Sequence, residues 1–450
     1  MVRTPVTRDT APGSPPLSRE RFDAALESRE LTEVEVAWAD HLGHSLGKRL
    51  PAAGFVGRAE REGFGFCDAT LSWDVVAEVH EGARLTDWRT GFPDLYAIPD
   101  FDTLRTIPWR PGVGQVLCDV VSHGGELIRT APRTVLRRAT EHLAELGYEA
   151  QIGVEIEFFL LDETARPLGG PVHCYSLEKA NELEPVLSRV TEGLVGYVPV
   201  EGVTSEYGPG QLEINLRHAD PIAAADDGFR LKYAVRTLAR SAGARATFMA
   251  KPFQGLSGSS MHLHVSLWRD GEPAFAPDDG SENALHRAAI AGVVNHLPST
   301  AVFGAPNINS YKRFEDRSYA PTTANWGGDN RTASVRSLLE DDQSTRIELR
   351  TPGADANPYW ATAALLAAVI AGIEECEEPT PKGSGNLYGE GRPLPRIPSD
   401  AADLARRDKR ITDILGEDAV HDYTLLVEKD WLAYITTVTE WERDRYLDLA

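Results

Sequence analysis

The sequence predicts an α+β protein. Two observations carry that reading. Short segments in which polar and apolar residues alternate, the period of half-buried strands, recur along the chain. Longer segments with helical spacing of apolar residues lie between and after them.

Taken in order, residues 1–18 are rich in Pro, Ser, Thr and Gly and read as a disordered tail. From Arg19 to about Glu126, apolar runs are broken by Gly and Pro. GFVGRAEREGFGFCDATLSWDVVAEV reads as strands joined by turns, and VGQVLCDVVS as a strand. Gly91–Pro111 is too Pro-rich for regular helix. GGELIRTAP marks a boundary near Gly124–Pro132, giving a small domain over 19–126 and a larger one over 127–450. The larger one opens on a helix at Arg133–Leu146, with Val135, Leu136, Ala139, Leu143 and Leu146 near helical spacing and Gly147 at its C-cap. Further helices are expected at Asp226–Ala242, Glu282–Leu297, Pro358–Cys376, Ile411–Leu415 and Asp430–Trp441. Gly383–Pro398 reads as a loop, and no internal repeat is evident.

Composition narrows the function. The 450 residues carry a formal charge of −22, with 42% hydrophobic and 25% charged residues. That balance argues against nucleic acid or an anionic membrane surface as the main partner. Ala356–Ile373, the longest uncharged run, is Ala-rich and contains Asn357, Pro358 and Tyr359, so it reads as a buried helix and not a membrane span. Cys67, Cys118, Cys174 and Cys376 are too far apart in sequence for a zinc knuckle or a CxxC pair, and the N-terminus has no apolar signal core. Both point to a reducing, cytoplasmic setting.

Four strands carry the chemistry. In GVEIEFFLLD, Glu155 and Glu157 share one face. In GQLEINLR the same face holds Gln211, Glu213, Asn215 and Arg217. SMHLHVSLW places His262, His264 and Ser266 together, and RIELR places Arg346, Glu348 and Arg350 together. A solvated face usually mixes in lysine; these four have none. Clustered carboxylates repel unless a cation lies among them. Glutamates with few histidines suit Mg²⁺ or Mn²⁺ better than structural zinc. The arginines call for anionic groups. Lys312 and Arg313 in NSYKRF, and Arg331 and Arg336 in DNRTASVR, add cations between the His and Glu–Arg strands. Carboxylates for metal with arginines for anions is what phosphoryl transfer requires.

The motifs GVEIEFFLLD, EYGPGQLEINL, GSSMHLHVSLW, NSYKRF, DNRTASVR and RIELRTPGADANPYWATAALLAAVIAGIE, in this order and spacing, resemble the glutamine synthetase family of bacterial type over Arg133–Glu374. The resemblance implies a small N-terminal β-grasp domain and a larger catalytic domain whose antiparallel strands form part of a funnel-shaped site. It implies ATP as co-substrate, two to three Mg²⁺ or Mn²⁺ ions, and activation of glutamate as γ-glutamyl phosphate before an amine displaces phosphate. By the same resemblance, Glu157, Glu206 and Glu213 hold one metal, and Glu155, His262 and Glu348 the other. Gly258, His264, Arg313 and Arg350 bind glutamate, with Ser257 in place of the family's usual Asn. Ser266, Arg331, Arg336 and Arg346 serve ATP and the developing charge, and Arg313, Arg331 and Tyr319 act at the reacting centre. A homo-oligomer, a dodecamer of the family's kind, is implied as well.

Two departures concern the acceptor. Where ammonia-using members have Glu before Ala-Pro, this chain has Tyr319 before Ala320-Pro321. Tyr is uncharged near pH 7 and packs on alkyl groups or offers its ring to a cation. Where the family has an ammonium-site Asp, this chain has Cys67, followed by Asp68. Asp68, Glu315 and Asp316 remain as acids for the rim, and Trp326 as a wall. These departures predict a small organic amine such as ethanolamine as acceptor. A polyamine is the next reading and ammonia the third. NLY at Asn386–Tyr388 resembles the loop that carries a modifiable tyrosine in some members, without the usual residues after it. Two readings from other classes stay open: a glycosidase using Glu155 and Glu157, which leaves the histidines and arginines unused, and a non-catalytic scaffold of the same fold.

Overall fold

A computed structural model describes residues 19–27, 30–170, 174–376 and 378–449. The tail expected at 1–18 lies outside the described residues. The chain folds as two compact units that interleave in sequence. One holds residues up to Cys67, Asp94–Ile128 and Gln151–Phe248; the other holds Asp68–Pro93, Arg129–Ala150 and the chain from Met249 onward.

In the first unit, strands β1 (Glu33–Ala39), β2 (Ser45–Pro51), β3 (Phe64–Cys67), β4 (Asp94–Thr106) and β5 (Val113–Val121) form a sheet in the order β2-β1-β5-β4-β3. Only the β1–β5 pair is parallel. β1 is buried along nearly its whole length, and Trp38 stacks on Phe66 at 4.2 Å. The expected strand at GFVGRAERE is instead a helix, Phe55–Arg61. Phe55 is its inward residue, stacked on Phe64. Alternation over so short a run does not separate strand from helix.

The rest of this unit is built on β6 (Glu149–Leu161), β7 (Val200–Ser205), β8 (Gln211–Ala219) and β9 (Arg245–Thr247). β6 pairs antiparallel with β8, β8 with β7, and the end of β6 with β9. The Pro221–Ser241 helix, capped by Asp220, carries a buried polar network to the five-stranded sheet. Arg230 bonds Gln115 at 3.2 Å and the Thr103 carbonyl, while Arg105 donates to Asp227 at 2.5 Å. Buried charges persist only when paired in this way.

The second unit contains β10 (Met261–Arg269), β11 (Glu272–Pro273), β12 (Thr323–Ala324), β13 (Trp326–Gly327), β14 (Val335–Leu338), β15 (Arg346–Leu349) and β16 (Arg392–Pro393). β13, β14, β15 and β10 are neighbours in that order, and β12 pairs with β16. Behind them lie helices Pro132–Glu145, Ala284–Gly304 and Pro358–Glu375. The last is buried at every position from Pro358 to Gly372, as its apolar run implied. It crosses the Ala284–Gly304 helix where Gly372 meets Gly292. A Cβ on Gly292 would sit 2.2 Å from the Ala368 carbonyl, so only glycine permits this approach. Among the described residues, no helix is long and apolar enough to cross a membrane. The helix expected at Asp430–Trp441 is broken: one helix ends at Thr436, and another starts at Glu440 under a Thr439–Glu442 capping box.

Candidate active site

The first unit presents the acidic face. On β6, Glu155 and Glu157 alternate with the buried Val154, Ile156 and Phe158. Antiparallel pairing sets Glu157 opposite Glu213 and Glu155 opposite Asn215. Glu155 and Glu213 bring carboxylate oxygens within 4.8 Å of each other. Gln211 donates to Glu157 at 3.3 Å, and Asn215 to Glu213 at 3.1 Å. Glu206 follows β7, its N–H bonded to the Gln211 carbonyl at 2.9 Å. The turn before β8 needs Gly210: its φ is +69°, and a Cβ there would meet the Leu168 and Leu160 carbonyls at 2.6 and 2.7 Å. Burial, and then the charges of Glu155, Glu157 and Glu206, push the Glu213 carboxyl up to about 9. Without a cation the cluster keeps a proton near neutral pH. That donor set fits a hard divalent cation.

Cys174 joins this cluster unannounced. Its Sγ lies 3.8 Å from a Glu206 oxygen, and burial plus the charges of Glu206, Glu213 and Glu157 push the thiol up to about 11. Nothing in its local sequence signals this placement, 32 residues from Glu206.

The second unit presents the His–Arg–Glu face. Register places His264, Glu348 and Arg336 in one row across β10, β15 and β14. Glu348 is 1% exposed. It accepts from Arg350 at 2.6 Å and from Arg336, and lies 3.6 Å from His262 Nδ1. Burial alone would raise its carboxyl, but Arg350, His262, His264 and Arg336 outweigh it and hold the group down to about 2. Glu348 is therefore a fixed anion. Arg346 reaches His264 at 3.3 Å, and Trp268 donates to Ser266 at 3.1 Å. Arg336 also pairs with Asp329, whereas Arg331 stays more than half exposed, 3.8 Å from Asp329.

Arg313 is buried, and its guanidinium is committed to the Thr351 carbonyl at 2.7 Å, the Arg350 carbonyl at 2.9 Å and Ser260 at 3.1 Å. Gly258 packs against it: a Cβ would fall 2.6 Å from Arg313 Cγ and 2.7 Å from the Ala250 carbonyl. Tyr319 is 46% exposed and has φ +60°, a conformation few non-glycine residues adopt. Of the rim acids, Glu315 is held by Lys251 at 2.9 Å, and Asp316 accepts from Thr322 at 3.4 Å. Asp68 is 2% exposed at the start of a 3₁₀ turn. Cys67 is exposed at the end of β3. Trp326 is buried, its indole N–H bonded to the Thr380 carbonyl at 2.7 Å.

Comparison with known proteins places these features in a family. The model of the glutamine synthetase catalytic domain matches residues 129–446. Glutamate–isopropylamine ligase of a Pseudomonas species is 34% identical over 94% of this chain and 96% of its own. Gamma-glutamylethanolamide synthetase of Streptomyces coelicolor is 33% identical over 96% of both chains. Gamma-glutamylputrescine synthetase of Escherichia coli is 33% identical over 91% of this chain and 90% of its own. The structure of GmaS with ADP superposes with a TM-score of 0.84 at 29% identity, over 95% of this chain and 99% of that one. The chain belongs to the glutamine synthetase family, as an ATP-dependent glutamate–amine ligase.

Proposed function

We propose that this ligase joins the γ-carboxylate of glutamate to a small organic monoamine, ethanolamine or a near relative. The observation that carries the choice is the aromatic Tyr319 beside Glu315, a rim acid whose charge Lys251 already answers. Ammonium would want a carboxylate where Tyr319 stands, and a diamine would want open acids for its second charge. Lys251 pairs with Glu315 and Asp68 is buried, while Asp316 accepts from the neutral Thr322 hydroxyl. Alkylamine-named relatives support the same reading. The putrescine-named relative keeps a polyamine as the alternative.

In this mechanism Arg350 and His264 orient glutamate, and Arg313, bonded to the Thr351 and Arg350 carbonyls, sets the Arg350 backbone, with Gly258 leaving room for Arg313. Ser266, Arg336 and Arg346 hold the nucleotide, with the exposed Arg331 answering the charge of the transferring group. Glu157, Glu206 and Glu213, and Glu155, His262 and Glu348, would hold two to three Mg²⁺ or Mn²⁺ ions, which when bound neutralise phosphoryl oxygens. The γ-phosphoryl group passes from ATP to the γ-carboxylate, leaving ADP. The amine, having lost its proton, attacks the acyl carbon; the C–N bond forms and inorganic phosphate leaves. Tyr319 packs on the alkyl part of the amine, and the exposed Cys67 completes its site from a neighbouring subunit. We assign the reaction to the cytoplasm and the enzyme to a homo-oligomer, a dodecamer. Trp441, Leu447 and Leu449 support association, since they stand 60–88% exposed at the C-terminal end.

The test is phosphate release with Mg²⁺, ATP and glutamate over ammonium, ethanolamine, putrescine and spermidine. Ethanolamine should give the highest kcat/KM. Ammonium ranking first would overturn the role given to Tyr319, and Mg²⁺·ATP binding without turnover on any amine would leave a scaffold.

A further inference from the structure

Lys251 is buried, which is uncommon for lysine. Its backbone is clamped by one carboxamide: its N–H donates to Asn309 Oδ1, and its carbonyl accepts from Asn309 Nδ2, both at 2.8 Å. The ammonium group then reaches two loops at once. It donates to the Leu256 carbonyl at 2.8 Å, two residues before Gly258, and to Glu315 at 2.9 Å. Glu315 opens the segment that carries Tyr319. That segment holds two non-glycine residues at positive φ, Arg317 at +63° and Tyr319 at +60°. Such strain persists only where the surroundings enforce it. At the other side of the segment, the Tyr388 hydroxyl is buried beside the Tyr319 backbone. The Tyr388 loop is itself pinned, by Asn325 to the Leu387 carbonyl at 3.0 Å and by the Leu387 N–H to Thr332 at 3.0 Å.

We propose that Lys251 is a positioning residue that couples the glutamate loop to the acceptor loop, with Glu315 as its latch. This rests on the ligase reading above, which assigns the Gly258 loop to the glutamate site and Tyr319 to the amine. With the latch closed, Tyr319 covers the acyl phosphate and admits the amine. With it open, water attacks the same carbon, and the products are glutamate and phosphate in place of amide and phosphate. The pairing also explains why a carboxylate at the rim does not select a diamine: its charge is already answered.

The experiment measures amide formed and phosphate released in the same reaction, for wild type, Glu315→Gln, Lys251→Met and Lys251→Arg, with the best amine of the panel. Wild type should give about one amide per phosphate. Glu315→Gln and Lys251→Met should drop that ratio below about one half and raise the amine KM about tenfold, since small displacements of a closing loop are costly. The KM for ATP should stay within about twofold in both, as should the glutamate KM in Glu315→Gln, whereas Lys251→Met, which also frees the Leu256 carbonyl, should raise the glutamate KM as well; Lys251→Arg, which keeps the cation, should retain more coupling than Lys251→Met. A merely structural lysine would lower kcat without changing the ratio. A wild-type ratio in Glu315→Gln overturns the inference alone. A wild type that releases phosphate but forms no amide overturns the ligase reading, and the inference with it.

Discussion

Removing one carboxylate from the acidic face should stabilise the metal-free protein while weakening the metal-bound one. The perturbation is Glu213→Gln, close to isosteric and uncharged. In the folded chain, burial and three neighbouring glutamates push this carboxyl up to about 9, against an ordinary value of 4.5. The folded state therefore binds the proton more tightly than the unfolded state. That advantage is full below about pH 4.5 and is lost as pH rises toward 9, at about 1.4 kcal/mol per pH unit. From pH 6 to pH 8 the wild type should lose about 3 kcal/mol that Glu213→Gln does not lose. The assay is denaturant unfolding in EDTA at pH 6, 7 and 8, repeated with Mg²⁺. The variant's advantage in EDTA should grow with pH, and Mg²⁺ should raise the wild-type midpoint far more than the variant's. A difference that stays flat with pH would refute the electrostatic account of the cluster.

Three further outcomes follow from the geometry. Glu348→Gln leaves two arginines facing an uncharged group, and should lower stability by about 3–5 kcal/mol at pH 7 and abolish turnover. Because the Glu348 carboxyl is held down to about 2, its stabilisation is present above pH 4.5 and lost as pH falls toward 2, so acid unfolding should be less steep in the variant. Gly258→Ala places a methyl against a backbone carbonyl and Arg313, and should raise the glutamate KM about tenfold or more with the ATP KM unchanged, as read by initial rates. Tyr319→Glu should shift the kcat/KM ratio of ammonium to ethanolamine toward ammonium by about tenfold, as read by product analysis.

The acidic and His–Arg faces were legible because strand alternation is a local property. Glu155 and Glu157, or His262 and His264, must share a face once the segment is a strand. The row His264–Glu348–Arg336 was less visible, since register between distant strands is set by the sheet as a whole. Cys174 beside Glu206 was not visible at all, nor was the Lys251–Glu315 pair, whose partners lie 64 residues apart and join two loops. Helix ends shift by a few residues where caps decide them: under the Asp220 cap the helix starts at Pro221, five residues before the expected Asp226. The helix at Phe55–Arg61 is hidden in the sequence because its few apolar residues fit either period.

The enzyme's preference between ammonium and an alkylamine is read in a single competition. One reaction contains ATP, Mg²⁺, glutamate and equal concentrations of ammonium and ethanolamine, and its products are separated by mass. γ-Glutamylethanolamide should dominate over glutamine; a mixture in which glutamine dominates would overturn the assignment of the acceptor.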